Sequence, residues 1–487
     1  MFEMDNVKFT HEQKSFIKHY VSELKQGNAS VFIGAGFSQE SGYVNWRQLL
    51  EDIAIELKLD IEKEYDLISI AQYYVNTYGN RNLLNQCLVN EFTRNLKCKE
   101  KHYILARLPL YSYWTTNYDS LIENSLERVH KIADVKFLNN QLSTVMPDRD
   151  AVVYKMHGDS KNLSECILTK DDYERYHKTH RPFLTFLKGE LISKSFLFLG
   201  FSFNDPNLNY ILSRIYVDYD ENAKQHFAII KEPTIDDYRK EDSESKKEEK
   251  LKYDSHKFLL FIRDLERYHI KVIKIKNYKE IDDILREIEH KIISKNVFIS
   301  GSVAEFVDNW NAVLANLFIS KLSERLISEG YNIISGFGLG VGSQVVFGAL
   351  HEIYINQKKS LKNNRLILRP FPYDMKEGSE RIELWKNYRE DMISYAGSAI
   401  FLFGNKRGAN GTIITADGVK SEFSIAQKKG CFVLPIPCTG GAAKEIYDEI
   451  DESYIDKSNE IMQKIPINEN EVYILVDEII HILNDNV

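Results

Sequence analysis

The stretch Val31-Phe32-Ile33-Gly34-Ala35-Gly36-Phe37-Ser38 decides how the first half of the chain is expected to fold. Three apolar, β-prone residues predict a buried strand, and the two glycines allow the backbone to turn tightly beside a ligand. Ser38 is predicted to cap the helix that follows. Free backbone N–H groups and the positive end of a helix dipole would then face one point, which favours an anion such as a pyrophosphate.

The same stretch departs from the usual dinucleotide-binding fingerprint. Gln39 stands where a third glycine is expected, and residues 46–57 predict a helix where a second strand should lead to an acidic residue. A dehydrogenase that transfers hydride is therefore disfavoured. A glycine turn that binds no ligand stays open as the alternative at this point.

Length, charge and cysteine content limit the possible classes of protein. The chain has 487 residues and a net charge of −8, from 63 basic and 71 acidic residues. Both signs are spread along the chain, so a broad nucleic-acid-binding surface is not expected. No two of the five cysteines form a C-x-x-C pair, which predicts neither a disulfide framework nor a zinc site. Without a signal segment or a membrane-spanning run, we expect a cytoplasmic protein with no nucleic-acid, membrane or metal partner.

Polar or glycine clusters follow several apolar strand segments in the first half of the chain. Besides the first glycine turn, these clusters lie at 116–119, 157–159 and 200–206. Ligands of open α/β sheets bind outside the carboxyl ends of the strands. We therefore expect these clusters to meet in one crevice.

Asn117 and His157 are the candidate catalytic residues of this crevice. An asparagine can bind a ribose hydroxyl or a water, and a histidine can accept a proton from either. The pair suits cleavage of an N-glycosidic bond with a good leaving group such as nicotinamide. Asp119 and Asp205 could orient these groups. A structural histidine and simple helix caps stay open as alternatives.

The rest of the pattern predicts two domains. Residues 231–257 are dense in charge and are interpreted as a solvated loop. After them, 278–293 predicts a helix that closes a first domain, 1–293. A second domain, 294–487, repeats the alternation of strands and helices with glycines at the strand ends. The predicted fold class is α/β, with two Rossmann-like domains, each a mostly parallel sheet flanked by helices.

Three charged side chains are candidate ligand-binding residues of the second domain. Arg389 and Lys406 would bind phosphates, and Glu422, predicted in the first turn of a helix, would accept from ribose hydroxyls. The glycine loop that contains Gly338 and Gly340 favours a joint phosphate site. Solvated surface charges are the alternative for each side chain.

The first half resembles the sirtuin family over roughly residues 10–293. The matching blocks, in family order, are Gly34 to Ser38 with Ser41-Gly42 and Arg47, Thr116-Asn117-Tyr118-Asp119, His157-Gly158, and Gly200-Phe201-Ser202. This resemblance implies that NAD is the substrate, that Asn117 and His157 are catalytic, and that the other blocks, with Asp205, hold NAD. Deacylases of the family carry two C-x-x-C pairs for zinc after the His-Gly, whereas this chain has only Cys166 there. The pattern is closer to bacterial sirtuin-like domains that hydrolyse NAD.

The second half resembles a SLOG domain, a Rossmann-like nucleotide-sensing module. The likeness lies in Ser300-Gly301-Ser302, at a predicted glycine turn, and in residues 336–342. The two-domain order is similar to the NAD-degrading effector family of the Thoeris anti-phage system. That resemblance implies a homo-oligomer, a tetramer or larger, and a TIR-domain partner that makes a cyclic ADP-ribose isomer on infection. It also implies that Arg389, Lys406 and Glu422 bind this isomer, and that the sirtuin-like domain then degrades NAD.

The sequence therefore predicts an NAD+ hydrolase that a nucleotide signal switches on. Two alternatives stay open. One is an NAD-dependent protein deacylase, against which the missing zinc cysteines argue. The other is a non-catalytic sensor that binds NAD in one domain and a second nucleotide in the other.

Overall fold

The computed structural model describes residues 8–94, 96–219, 223–238, 243–306, 310–356, 365–372, 378–451 and 458–486. The chain divides into two compact units, of which the first ends at Glu289 and the second begins at His290. The functional assignment of the domains as 1–293 and 294–487 stays a prediction. Among the described residues, no helix combines the length and the apolar character needed to cross a membrane.

The N-terminal unit is built on a seven-stranded sheet in which every neighbouring pair is parallel. Its order is β3-β4-β2-β1-β5-β6-β7. The predicted buried strand is β1, whose five residues are all buried between β2 and β5. The strands are β1 Ala29–Ile33, β2 Ser112–Thr115, β3 Ala133–Lys136, β4 Ala151–Lys155, β5 Ser195–Leu199, β6 His226–Lys231 and β7 Ile270–Ile275.

Helices cover this sheet and fill most of the sequence between its strands. The first begins at a capping box of Thr10 and Gln13 and buries an apolar face that includes Phe16, Tyr20 and Leu24. The helices are α1 His11–Lys25, α2 Ala35–Ser38, α3 Trp46–Leu49, α4 Glu51–Glu56, α5 Leu67–Tyr78, α6 Asn82–Phe92, α7 Glu100–Arg107, α8 Leu121–Arg128, α9 Lys170–Thr179, α10 Arg181–Ser193, α11 Pro206–Tyr219, α12 Glu244–Glu266 and α13 Lys279–Ile293.

The charged segment 231–257 is not the solvated loop that its composition indicates. Residues 239–242 of that segment lie outside the described part of the chain, but Ser243 caps the long helix α12 immediately afterwards. Its Glu and Lys residues are strong helix formers, and its first half faces solvent. The prediction of a loop is therefore wrong for the residues from 244 onward.

The C-terminal unit contains a second, five-stranded parallel sheet with the order β10-β9-β8-β11-β14. Strands β12 and β13 form a separate antiparallel hairpin. The strands are β8 Asn296–Ser302, β9 Asn332–Ser335, β10 Leu366–Leu368, β11 Ser398–Phe403, β12 Asn405–Arg407, β13 Ile413–Thr415 and β14 Phe432–Pro435. The helices are α14 Ala312–Ser328, α15 Gly342–Leu350, α16 Ser379–Ser394, α17 Asp417–Lys428, α18 Gly441–Glu449, α19 Glu460–Gln463 and α20 Glu469–Asn486. The predicted α/β class is thus confirmed for both sheets.

Each sheet contains a point at which the strand order reverses. In the first sheet the chain builds outward from β1 through β2 on one side, and from β5 through β6 and β7 on the other. In the second sheet the corresponding point lies between β8 and β11. Such switch points open a crevice at the carboxyl ends of the strands, where ligands of this architecture bind.

Candidate active site

A cavity of 1180 Å³ lies at the carboxyl ends of the strands of the first sheet. The structure brings the four predicted clusters together in its wall. It is large enough to bury most of a dinucleotide-sized ligand. The predicted site residues that line it are Ala35, Gly36, Phe37, Ser38, Thr116, Asn117, Asp119, His157, Gly200, Ser202 and Asp205.

The glycines of the first turn pack against another turn of the protein. The N–H groups of Gly34 and Gly36 donate to the carbonyls of Leu199 and Gly200, and the N–H of Phe37 donates to Gly34. A Cβ on Gly34 would lie 2.5 Å from the carbonyl oxygen of Gly200. The predicted row of free N–H groups is therefore wrong at these three positions, and the glycines are needed because the turns after β1 and β5 touch.

Replacing Gly200 with alanine should strongly destabilise the N-terminal unit. Gly200 has a φ of +61°, and a Cβ there would lie 2.1 Å from the backbone nitrogen of Phe37. Overpacking against fixed backbone costs about 1–3 kcal/mol, and the left-handed conformation adds to that. We expect calorimetry of the full chain to show a lowered unfolding temperature.

Gly189→Ala is the matched control for this substitution. Gly189 lies inside helix α10, and a Cβ there would meet no atom within 4 Å. Alanine in an exposed helix interior is worth about 0.5–1 kcal/mol over glycine. The control should therefore raise the unfolding temperature. Equal effects of the two substitutions would contradict the importance of the turn contact.

Asn117 lies in the turn after β2 and is fixed by its amide nitrogen. Its Nδ2 donates to the carbonyl of Gly34 at 3.1 Å and to Oγ of Ser38 at 3.0 Å. Ser38 in turn donates to Asp119 at 2.9 Å. The predicted cap role of Ser38 is wrong, because α2 already begins after Gly34 and ends at Ser38. The serine instead links the turns after β1 and β2. The amide oxygen of Asn117 is buried and has no hydrogen-bond partner among the residues that the structure describes.

Asp119 contributes to the site through this link and through the start of a helix. One of its carboxylate oxygens accepts from Ser38, and the other accepts from the N–H of Leu121 at the start of α8. Burial raises the pKa of this carboxyl, although the ammonium group of Lys155 acts in the opposite direction. The contact with Leu121 matches the interpretation of Asp119 as a helix cap, and the contact with Ser38 matches its interpretation as an orienting group.

His157 follows β4 and is nearly completely buried. Its Nε2 lies 3.0 Å from Oδ2 of Asp205, in an ion-pair contact that lacks hydrogen-bond alignment. The hydroxyl of Tyr173 lies 3.4 Å from Nδ1 on the other side of the ring. Burial alone would raise the pKa of Asp205, but the His157 imidazole and two backbone N–H groups hold that pKa below its usual value. The ring is therefore held between an ionised carboxylate and a phenol.

Three residues in the wall of this cavity, Asn117, His157 and Asp282, carry a buried side-chain atom without an aligned hydrogen-bond partner among the described residues. For the two predicted catalytic residues, these atoms are Oδ1 of Asn117 and Nε2 of His157. Buried polar atoms are usually satisfied, so such atoms at a cavity wall indicate a ligand that supplies the missing groups. An amide acceptor and an imidazole base are suited to bind hydroxyls and to accept a proton.

In the second domain, Ser300, Arg389 and Glu422 lie together. Ser300 donates to one oxygen of Glu422 at 2.6 Å, and Nε of Arg389 lies 3.5 Å from the other. Burial raises the pKa of Glu422 above its usual value, and the opposing effects of Ser300 and Arg389 offset only part of this shift. The guanidinium also lies 4.5 Å from the ring centre of Phe371. Arg389 and Glu422, two of the predicted ligand-binding residues, therefore lie beside each other, and their role in binding a ligand stays a prediction.

Other predicted residues of this second site have different positions from those expected. Ser300, Gly301 and Ser302 are strand residues of β8 that pair with β11, and not a turn. Glu422 lies in the second turn of α17, because that helix begins at Asp417. Lys406 lies on the β12–β13 hairpin, where its ammonium group is 2.6 Å from Asp417 and partly exposed.

Glycines of the second domain also lie where two backbone segments touch, as in the first domain. A Cβ on Gly338 would lie 2.0 Å from the carbonyl oxygen of Gly301, and one on Gly340 would lie 2.4 Å from that of Val303. These glycines allow the loop after β9 to pack against the end of β8. Their direct role in binding phosphate stays a prediction.

Some contributors to the first site could not be identified from the sequence. Tyr173 contacts His157 from helix α9, and Lys155 lies fully buried at the end of β4. A lysine in an otherwise apolar strand was the available signal for Lys155. Arg47 does not contact the cavity, since its guanidinium donates to the carbonyls of Ile61 and Glu64. Within the described part of the chain, no group of three or more His, Cys, Asp and Glu side chains could hold a metal ion.

Comparisons with known proteins bear on both halves of the chain. Residues 111–257 match a SIR2-like domain family, and residues 280–486 match the Sir2- and TIR-associating SLOG family. The sirtuin-like and SLOG resemblances are thereby confirmed. The chain is 48% identical to NAD(+) hydrolase ThsA of Bacillus cereus (strain MSX-D12), over 90% of each chain.

Two further relatives carry the same name. The identity is 45% to the protein of Acinetobacter baumannii (strain 532279), over 91% of each chain. It is 44% to the protein of Cytobacillus dafuensis, over 93% of this chain and 91% of the relative. With this identity over nearly the whole length, the chain belongs to the NAD(+) hydrolase ThsA family.

Proposed function

We propose that the chain hydrolyses NAD+ to ADP-ribose and nicotinamide, and that a cyclic ADP-ribose-type nucleotide bound to its C-terminal domain switches this reaction on. The relatives named NAD(+) hydrolase support the first part, because they align over almost the full chain. The resemblance to the Thoeris effectors supports a role in anti-phage defence. NAD is the substrate in this proposal.

The observation that carries the proposal is a pair of polar atoms in the cavity wall. Oδ1 of Asn117 has no hydrogen-bond partner among the described residues, and Nε2 of His157 contacts Asp205 without hydrogen-bond alignment. In the proposed complex, Asn117 binds a hydroxyl of the nicotinamide ribose. His157 faces the same ribose or the attacking water. The neighbouring carboxylate of Asp205 stabilises the imidazolium that forms when His157 takes up a proton.

The chemistry is a substitution at the anomeric carbon of the nicotinamide ribose. The bond from this carbon to the nicotinamide nitrogen breaks, and its electron pair leaves with nicotinamide, which becomes neutral. A water oxygen forms the new bond, and its proton passes to His157 and then to solvent. Because the transition state resembles an oxocarbenium ion, the protein mainly has to orient the ribose and supply one base.

The C-terminal cluster of Ser300, Arg389 and Glu422 is the proposed signal site. A planar guanidinium suits phosphate, and a carboxylate suits ribose hydroxyls. For the signal to activate, it must bind the active arrangement more tightly than the resting one. Lys406 joins this site in the proposal when its contact with Asp417 opens.

The proposal includes two kinds of partner. A TIR-domain protein would supply the cyclic nucleotide, in keeping with the name of the Sir2- and TIR-associating SLOG family. The chain itself would assemble as a homotetramer or a larger oligomer. Light scattering of the purified chain tests this assembly. Several large apolar side chains of the N-terminal unit are exposed and would be available for contacts between copies. They include Tyr210, Val217, Tyr253, Leu259 and Leu260.

A time course of NAD+ concentration tests the proposed function. Purified chain is incubated with NAD+ alone and with each member of a panel of cyclic ADP-ribose isomers. We expect NAD+ to disappear, and nicotinamide and ADP-ribose to form in equal amounts, only with an activating isomer. NAD+ that survives every isomer at high enzyme concentration, while still binding, would favour the non-catalytic sensor.

The same samples separate hydrolysis from deacylation. With an acetylated peptide present, a deacylase forms O-acetyl-ADP-ribose, and a hydrolase forms ADP-ribose whether or not the peptide is added. We expect ADP-ribose alone. Formation of the acetylated product would contradict the proposed reaction.

A further inference from the structure

The turns that carry Asn117 and His157 meet at one fully buried ammonium group. Lys155 is the last residue of β4, and its side chain has no exposed surface. Its Nζ donates to the backbone carbonyls of Tyr118 and Asp119, at 3.1 and 2.7 Å. These are the two residues that follow Asn117. The ammonium group therefore holds the turn after β2 directly.

The same ammonium group also holds the turn that contains His157. Its Nζ lies 2.5 Å from Oδ2 of Asp159, two residues beyond His157. The fourth contact is a hydrogen bond of 3.0 Å to Glu123, on helix α8. Burial alone would lower the pKa of Lys155, but Glu123 and Asp159 raise it to about 12, so the group stays charged.

We propose that Lys155 is a positioning residue that fixes Asn117 and His157 relative to each other for the reaction. This inference rests on the proposed function. Neither Lys155 nor Asp159 lines the cavity, so neither contacts the substrate. One backbone hydrogen bond, from the N–H of Ser160 to the carbonyl of Tyr118, also joins the two turns. Lys155 adds a contact with the carbonyl of Asp119 and one with Oδ2 of Asp159, whose Oδ1 accepts from the N–H of Lys161 within the same turn.

A purely structural role of Lys155 and a positioning role predict different effects on kcat and KM. A structural role would lower the amount of folded enzyme and leave kcat and KM of the folded fraction unchanged. A positioning role would lower kcat, because a displacement of about 1 Å between reacting groups can cost about 100-fold in rate. KM should change little, because the cavity wall keeps its side chains.

The test uses full-length Lys155→Met, which keeps the length of the side chain and removes its charge. We expect a fall in kcat of about 100-fold with KM nearly unchanged, measured with the isomer that best activates the unaltered chain. Since this substitution leaves buried carboxylates uncompensated, Asp159→Asn serves as the milder second variant. Glu123→Gln is the matched control. It removes a carboxylate from the same ammonium group but lies in neither turn, and its kcat should stay close to that of the unaltered chain.

Amide hydrogen exchange of the same proteins gives a readout that needs no turnover. Lys155→Met should speed exchange in the turns 116–120 and 157–162, and Glu123→Gln should leave the 157–162 turn unchanged. A folded Lys155→Met protein with unchanged exchange in both turns, or with unchanged kcat, would overturn the positioning role. Absence of NAD+ cleavage by the unaltered chain would instead contradict the proposed function, and the exchange result would still decide the role of Lys155.

Discussion

His157→Ala is expected to lower the rate of NAD+ cleavage by about 10²- to 10⁴-fold, the usual contribution of a general base. The physical reason is the position of its ring. Nε2 lies in the cavity wall without an aligned hydrogen-bond partner, and the carboxylate of Asp205 lies 3.0 Å away to stabilise the protonated form. Alanine leaves Asp205 in place but removes the group that accepts the proton. Nicotinamide release, measured by chromatography under activating conditions, gives the rate.

A second histidine of the same aromatic cluster provides the control. His180 stacks on Tyr176, with 4.4 Å between ring centres, and does not line the cavity. Burial is the main cause that lowers the pKa of His180 to about 4, so its imidazole is neutral near pH 7. His180→Ala removes an imidazole from the same cluster, although a less buried one, and should leave most of the activity. Equal losses in both variants would indicate damage to the cluster and would contradict a specific role for His157.

The sequence predicts the central strands of the first sheet better than its edge. Strands such as β1 and β5 are continuous apolar runs, because parallel strands in the middle of a sheet are buried on both faces. Strand β3 is missed, since it is an edge strand of only four residues, with the polar Asp134 and Lys136 buried by contacts with each other. Periodicity carries no information about such an ion pair.

The individual site residues can be predicted, but the contacts between them cannot. The rule that polar clusters follow parallel strands places Asn117 and His157 at one edge of the sheet. The contacts that orient them join Asn117 to Ser38, 79 positions apart, and His157 to Asp205. These pairings depend on the strand order and on the packing of the turns. The cap predicted for Ser38 failed for the same reason, because a local signal competed with a tertiary hydrogen bond.

In the second site, the family resemblance identifies candidate residues but does not predict the contacts between them. Arg389 and Glu422 come from different helices and meet beside Ser300, although each was only a charged residue in the sequence. Lys406 was assigned to the same site, but its ammonium group contacts Asp417. Because Asp417 begins the helix that carries Glu422, Lys406 is nevertheless tied to the same element. Its role in binding the signal stays a prediction.

Arg389→Ala is expected to abolish the response to the activating nucleotide at concentrations that saturate the unaltered chain. Loss of charge-assisted hydrogen bonds to a phosphate should weaken binding by about 10- to 100-fold. The guanidinium is well placed for this role, since it lies over the ring of Phe371 and beside Glu422, with only 14% of its side chain exposed. Calorimetric titration of the nucleotide and the concentration dependence of NAD+ cleavage measure the two effects separately.

The controls must separate lost binding from a disturbed C-terminal unit, because Arg389→Ala also leaves the partly buried Glu422 without its cation. Arg389→Lys keeps the charge and loses the planar fork, so it should bind the nucleotide with intermediate affinity. Lys386→Ala removes an exposed cation from the same helix and should activate normally. Any NAD+ cleavage without nucleotide should be the same in all of these variants, since the described residues that line the cavity all belong to the N-terminal unit. A normal response of folded Arg389→Ala would place the signal elsewhere, whereas graded loss from lysine to alanine would tie activation to the guanidinium itself.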